Sequence, residues 1–143
     1  MRILCVCLGN ICRSPTAEAV LRAMGPEINV DSAGTSDWHI GAPPYGPAIE
    51  AGARRGYDLA PLRAPQIRSG DLARFDLILA MDSQNLRDIE TLRPEGSDTP
   101  VRLFLDYAEG HEGRDVPDPY YTRDFDGALD LIEAAAAGLI RTL

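Results

Sequence analysis

An apolar run, Ile3–Val6, leads directly into Cys7-Leu8-Gly9-Asn10-Ile11-Cys12-Arg13-Ser14, and a helical pattern, Pro15-Thr16-Ala17-Glu18-Ala19-Val20-Leu21, starts where that loop ends. A buried strand, a tight loop and a helix N-terminus in this order predict an α/β unit. They also predict a ready anion site, because backbone N–H groups converge at the loop and the helix dipole favours negative charge. A cysteine at the floor of such a site has its thiolate stabilised by the same field, and an arginine at the far end strengthens it. The pattern reads as a nucleophile that processes phosphate.

The rest of the chain continues the alternation. Strands are predicted over Arg2–Val6, Ile28–Ala33, Leu77–Met81 and Val101–Leu105. Helices are predicted from about Ser14 to Met24, near Pro47–Arg55, over Gln84–Leu92 and from about Phe125 to Leu143. Ser69-Gly70-Asp71 can cap a short helical turn, Asp82 reads as an N-cap, and Arg114–Thr122 reads as a loop dense in Asp, Pro and Tyr. Alternating strands and helices imply parallel pairing, right-handed crossovers and helices on both faces of one sheet. Ligands in such folds sit outside the carboxyl ends of the strands, where Cys7, Ser32, Asp82 and the segment after Leu105 are expected to gather.

The 143 residues read most simply as one domain, 1–143, and no apolar run is long enough to span a bilayer or to form a signal-peptide core. The cytoplasm is the expected compartment and no membrane partner is expected. A net charge of −8, with every basic side chain an arginine, argues against nucleic-acid binding. It also means that an anionic substrate is attracted locally, by Arg13 and the loop amides, and not by the molecule as a whole. Cys5, Cys7 and Cys12 all fall in the first twelve residues, which is no disulfide framework. They lack a fourth ligand at zinc-like spacing, and neither His39 nor His111 supplies it, so no metal and no cofactor is expected.

Cys-x5-Arg-Ser allows one loop to wrap a tetrahedral dianion, with Cys7 attacking phosphorus while Leu8, Gly9, Asn10, Ile11 and Cys12 present their N–H groups and Arg13 its fork. Gly9 permits close backbone approach, and Asn10 tolerates a left-handed conformation. The plainer alternative, a buried cysteine before an ordinary helix, neglects where the motif sits. Ser14 can cap the first helix and can also hydrogen-bond the Cys7 sulfur. Cys12 is either an inert core thiol or the partner of Cys7 in a reversible, protective disulfide, and Cys5 reads as core. A departing phenolate or alkoxide needs a general acid, and Asp118 in Val116-Pro117-Asp118-Pro119-Tyr120-Tyr121 offers one, with Asp115, Asp124 and Asp126 as rivals. The histidines accompany no nucleophile motif, which disfavours a Cys-His hydrolase.

Together these residues resemble the low-molecular-weight protein tyrosine phosphatases. The resemblance runs from Val6–Pro15 and Ala17-Glu18-Ala19 through Asp31-Ser32-Ala33-Gly34-Thr35, Trp38-His39, Phe75–Asp82 and Asn85-Leu86. It continues to Asp118-Pro119-Tyr120-Tyr121 and Leu129-Asp130-Leu131-Ile132-Glu133, so that it covers essentially the whole chain in order. It implies a three-layer sandwich around a four-stranded parallel sheet, and hydrolysis of protein phosphotyrosine through a phosphocysteine. In that scheme Cys7 is the nucleophile, Arg13 binds phosphate and Asp118 is the acid and then the base. Asn10, Ser14 and Ser32 match a hydrogen-bond network that shapes the loop, Asp82 matches a supporting carboxylate, and Trp38, Tyr120 and Tyr121 match the crevice wall. The partners implied are phosphotyrosine proteins, with a bacterial tyrosine kinase suggested by bacterial relatives, and a monomer or weakly self-associating chain. Leu62 and Pro65 depart from a histidine and an arginine common in relatives. A protein arginine phosphatase, which usually carries Thr where this chain has Ile11, and a non-catalytic phosphopeptide-binding module are the alternatives. An arsenate reductase would need cysteines beyond Cys12, and there are none.

Overall fold

The strand Arg2–Cys7 (β1) alternates its side chains between two cores, and this alternation organises the molecule. Ile3, Cys5 and Cys7 face one side, where they join the larger apolar cluster with Ala17, Val20 and Leu21, while Leu4 and Val6 face the other, with Leu72, Phe75, Ile78 and Ile89. In the computed structural model, which describes residues 1–143, the elements follow in order: β1, α1 (Arg13–Met24), β2 (Asn29–Gly34), α2 (Gly46–Arg54), α3 (Asp71–Arg74), β3 (Leu77–Ala80), α4 (Ser83–Glu90) and β4 (Val101–Leu103). A 3-10 turn (Phe104–Tyr107), α5 (Pro119–Thr122) and α6 (Phe125–Thr142) complete the chain.

The four strands form one sheet in the order β2-β1-β3-β4, with every pair parallel. The fold is thus the expected α/β sandwich. Helices α1 and α6 pack over the face that carries Ile3 and Cys5, whereas α3 and α4 cover the Leu4–Val6 face. Because β1 is followed by β2 on one side and β3 returns on the other, the carboxyl end of β1 is the point where the winding reverses. A crevice opens at such a point.

Three local differences from the sequence expectation have physical causes. The last strand stops at Leu103, since Phe104–Tyr107 wind into a 3-10 turn that sends Phe104 fully into the core shared with α6. The loop expected over Arg114–Thr122 contains α5, with Asp118 as its N-cap and Pro119 in its first turn, where a missing N–H costs nothing. The first helix starts at Arg13, not at Ser14, and its N-cap is Cys12, which makes no side-chain cap bond. Ser14 therefore does not cap α1.

At the far end, α6 approaches the 3-10 turn so closely that a Cβ on Gly138 would lie 1.9 Å from the Tyr107 carbonyl oxygen. No helix is long and apolar enough to cross a membrane.

Candidate active site

The loop after β1 is shaped by bonds that point away from it. The amides of Thr35 and Ser36 donate to the carbonyls of Cys7 and Leu8 (2.9 Å each), and the Tyr45 amide donates to the Ile11 carbonyl (2.7 Å). In a trans peptide the C=O and the following N–H point in opposite directions. Pinning those three carbonyls outward consequently turns the N–H groups of Leu8, Gly9 and Cys12 inward. Asn10 takes the left-handed conformation (φ +56°) that closes the curve. The result is a ring of donors around the Cys7 sulfur, continuous with the N-terminus of α1.

The sulfur is held by two further groups. The Asn10 amide reaches Cys7 Sγ at 3.2 Å, and Ser14 Oγ lies 2.9 Å from it. Ser14 Oγ accepts a bond from Asn10 Nδ2 (2.6 Å), and its only other acceptor within range, the Ala33 carbonyl, is 3.5 Å away. The hydroxyl proton is thus best placed on the sulfur. Asn10, Cys7, Cys12 and Ser14 are all buried. Burial pushes the Cys12 thiol up to about 12, with Cys7 and Asp118 adding to the shift.

Arg13 is buried at the opposite side of the ring. Nη1 donates to Asp82 Oδ2 (2.8 Å) and to the Val116 carbonyl (3.0 Å), while Nη2 lies 3.4 Å from Asp118 Oδ2. Burial opposes its charge, but Cys7, Asp82 and Asp118 outweigh that and hold its pKa above the ordinary value. Asp82 is itself fixed as the N-cap of α4: its Oδ1 accepts the Asn85 amide (2.7 Å), and Asn85 Oδ1 accepts the Asp82 amide (3.2 Å). A strand end, a capping box and a buried guanidinium thus form one unit. Asp118 is tied more loosely, with Oδ1 on the Tyr120 amide at 3.1 Å and its side chain a quarter exposed.

These groups surround a crevice of about 200 Å³. Cys7, Leu8, Gly9, Ile11, Cys12 and Arg13 form its floor and lower wall, and Trp38, Asp118, Tyr120 and Tyr121 its upper wall. Asn10 and Ser14 stand beneath the floor, and Asp82 lies behind Arg13. Ser32 is elsewhere: it pairs with Cys5, two residues before the end of β2, and donates its hydroxyl to Glu18 Oε1 at 2.5 Å, not to the loop. The segment after Leu105 also stays away from the crevice until Asp118.

Two contributors have no crevice role in the sequence pattern. His39 lines the crevice and lies against Gly9, where an added Cβ would come within 2.9 Å of its Cδ2. Its adjacency to Trp38 was the available signal. Tyr45 anchors the loop through Ile11, and its ring packs on Tyr120 with centroids 5.2 Å apart. No local pattern marks it. No three His, Cys, Asp or Glu side chains gather as a metal site.

Chemically, a nucleophilic atom sits at the base of an anion cradle that opens into a mostly apolar slot. The sequence model of a family described as low molecular weight phosphotyrosine protein phosphatase matches residues 2–143. A low molecular weight protein-tyrosine-phosphatase of Streptomyces coelicolor is 43% identical over 152 aligned positions that cover 97% of this chain and 91% of that protein. The crystal structure of YfkJ from Bacillus subtilis superposes with a TM-score of 0.92 at 38% identity, covering 99% of this chain and 93% of that one. Vibrio vulnificus Wzb, solved in complex with benzylphosphonate, gives 0.88 at 33% identity over 99% and 98% of the two chains.

Proposed function

The chain belongs to the low molecular weight phosphotyrosine protein phosphatase family, and from that membership we propose that it hydrolyses protein phosphotyrosine through a phosphocysteine formed on Cys7. The observation that carries the reading is the Cys7 sulfur at the floor of a crevice whose walls also hold Arg13 and Asp118. A phosphotyrosyl dianion settles on the inward N–H groups of the loop and on the Arg13 fork, with its ring between Ile11 and the aromatic rim of Trp38, Tyr120 and Tyr121. The dianion replaces Asp118 as a partner of Arg13 Nη2 and leaves that carboxyl facing the ester oxygen.

In the first step the thiolate forms an S–P bond while the P–O bond to the ring breaks, and Asp118 gives its proton to the departing phenolate. In the second, Asp118 takes a proton from water as the water oxygen bonds to phosphorus. The S–P bond then breaks and orthophosphate leaves. Ser14 and the Asn10 amide stabilise the thiolate that departs, and the cradle donors, fixed before substrate arrives, stabilise charge on the equatorial oxygens. Asp82 and the Val116 carbonyl keep Arg13 in plane. Ile11 suits an aryl ring better than a second guanidinium, which favours phosphotyrosine over phosphoarginine.

Phosphate release from a phosphotyrosyl and a phosphoarginyl peptide, measured side by side with Cys7→Ser as control, tests this. The expected result is Cys7-dependent turnover that favours phosphotyrosine. Preference for phosphoarginine would overturn the substrate, and phosphate binding without turnover of either peptide would make the chain a binding module.

Cys12 adds a protective reaction. If peroxide converts Cys7 to a sulfenic acid, the Cys12 thiol condenses with it to a disulfide and releases water, which blocks further oxidation until a dithiol reduces the bridge. Since burial keeps Cys12 protonated at neutral pH, this closure accelerates as pH rises.

A further inference from the structure

A second groove, of about 340 Å³, shares no lining residue with the crevice. It lies where the segment 61–68, which carries the unusual Leu62 and Pro65, runs over β2 and meets α3. Four of the chain's fourteen basic side chains line it, Arg22, Arg63, Arg68 and Arg74, in a molecule whose net charge is −8. With the acids Glu18, Asp31 and Asp71 on the same lining, the groove is positive by one charge in an acidic molecule.

The three acids of the groove are already engaged. Glu18 accepts from Ser32 Oγ (2.5 Å) and pairs with Arg22 (2.7 Å), Asp31 lies 3.4 Å from Arg22, and Asp71 accepts from the Arg68 amide (2.8 Å) and Arg74 Nη1 (3.3 Å). Arg22 is further occupied by the Val30 carbonyl, at 2.7 and 3.1 Å. Arg63, by contrast, spends only Nη1, on the Ala60 and Leu62 carbonyls, and Arg68 is engaged through its backbone alone, its amide donating to Asp71 Oδ2 and its carbonyl accepting from the Asp71 amide. Both arginines, carried on the segment 61–68, therefore keep free guanidinium donors, Arg63 through Nε and Nη2 and Arg68 through all of its nitrogens, and such donors suit a planar or tetrahedral oxyanion. The floor is different in kind: Glu18 and Ser32 are each only 4% exposed, and both keep acceptor capacity after bonding to each other. They suit hydroxyl donors. The groove is also roomier than the crevice.

The floor is mechanically joined to the nucleophile. Ser32 precedes Ala33, whose carbonyl lies 3.5 Å from Ser14 Oγ, and that oxygen touches Cys7 Sγ. Gly34 follows, so close to the loop that an added Cβ would meet the Leu8 carbonyl oxygen at 2.9 Å and the Asn10 nitrogen at 3.2 Å. A ligand that pulls on Ser32 shifts the strand end on which the cradle rests.

We propose that this groove is a second anion site, which holds a small hydroxylated phosphomonoester of the sugar phosphate class with its phosphate on Arg63 and Arg68 and its hydroxyls on Glu18 and Ser32, and whose occupancy alters turnover at Cys7. The binding part is independent of the phosphatase reading, while the rate part rests on it.

Calorimetric titration of the Cys7→Ser protein, with its crevice saturated by benzylphosphonate, uses ribose 5-phosphate as probe and inorganic phosphate in parallel. One saturable site is expected that takes ribose 5-phosphate more tightly than inorganic phosphate and weakens at least tenfold in the double variant Arg63→Ala/Arg68→Ala. In the unsubstituted enzyme at saturating phosphotyrosyl peptide, ribose 5-phosphate changes kcat. The double variant, altered only at exposed positions, keeps its basal kcat and loses that response. Binding no tighter than that of inorganic phosphate, binding undiminished by the double substitution, or an unchanged kcat overturns the proposal. A failure of the phosphatase reading itself shows up separately, as no turnover in the absence of the probe.

Discussion

Cys7, Asn10, Cys12, Arg13 and Ser14 are each at most 4% exposed, whereas Trp38 and Tyr121, on the rim of the same crevice, are 70% and 72% exposed. The lower half is over-determined: three carbonyls are pinned outward, the sulfur is held by two donors and Arg13 by Asp82 and Val116. The upper half consists of aromatic rings in contact, Tyr45 and Tyr120 tilted at 5.2 Å and Tyr120 and Tyr121 edge to face at 5.3 Å. A preorganised cradle acts on charge that develops in the transition state, and hence on kcat. An apolar rim touches the ring in substrate and transition state alike, and hence acts on KM. Perturbing each region should separate those two constants.

The largest effect is expected at the floor. Cys7→Ser should lower turnover by about 10⁶-fold, as loss of a nucleophile does in other hydrolases, and should still bind orthophosphate, which calorimetry would show. Turnover close to the parent would remove Cys7 from the mechanism. Next comes Asp118, where the two regions meet. Asp118→Ala should reduce kcat for a phosphotyrosyl peptide by about 10²–10⁴-fold, with a much smaller loss for an aryl phosphate whose phenol is strongly acidic. Equal losses for the two substrates would assign the acid to one of the neighbouring aspartates.

Gly34 tests whether the cradle's geometry, apart from its chemistry, sets kcat. In Gly34→Ala the new Cβ meets backbone of Leu8, Gly9 and Asn10, none of which can rotate away. Displacing reacting groups by about an ångström costs up to about 10²-fold, so a fall of about 10–100-fold in kcat is expected, with KM changed little. A variant that raised KM alone would place Gly34 with the rim.

The cradle is largely legible in the sequence because it is nearly contiguous: a buried strand, eight loop residues and a helix start carry the Cys7 thiol, the Arg13 guanidinium and the glycine together. Asp82 was legible for the same reason, since an acid at a strand's end, three residues before Asn85, is a local capping pattern. What escaped depends on distant packing. Of the two roles open to Ser14, the bond to the Cys7 sulfur is present, but the cap is not, because the left-handed turn at Asn10 completes the loop early and α1 already starts at Arg13. The resemblance places Ser32 in the loop network; its partner is instead a glutamate that α1 turns inward, fourteen residues away in sequence. His39 contacts Gly9 across thirty residues of chain, and no spacing rule anticipates that.

The rim should respond more mildly. Trp38→Ala removes one wall of the slot, and an aromatic contact of this kind contributes about 0.5–1.5 kcal/mol, or about 2–10-fold in KM for a phosphotyrosyl peptide, while kcat holds. A loss concentrated in kcat would mean that Trp38 orders the cradle, and the division between the two halves would fail.

The smallest effect is confined to alkaline solution and tests the burial on which the contrast rests. Burial raises the Cys12 thiol from about 9 in a free chain to about 12 in the folded one. Above pH 9 the unfolded chain releases this proton while the folded chain retains it, so the unfolded state gains from rising pH and the folded state does not. The stability that the neutral thiol contributes is thus complete below pH 9 and declines between pH 9 and 12. Cys5, fully buried and also held well above its ordinary value, declines in parallel. Urea midpoints between pH 8 and 11 should therefore fall, and fall less steeply in Cys12→Ser, whose hydroxyl does not titrate there. The slope is the readout, because the substitution also shifts the midpoint at every pH. If parent and variant fell with the same slope, Cys12 would be reached by solvent in the native state, and the cradle would be less sealed than the rim above it suggests.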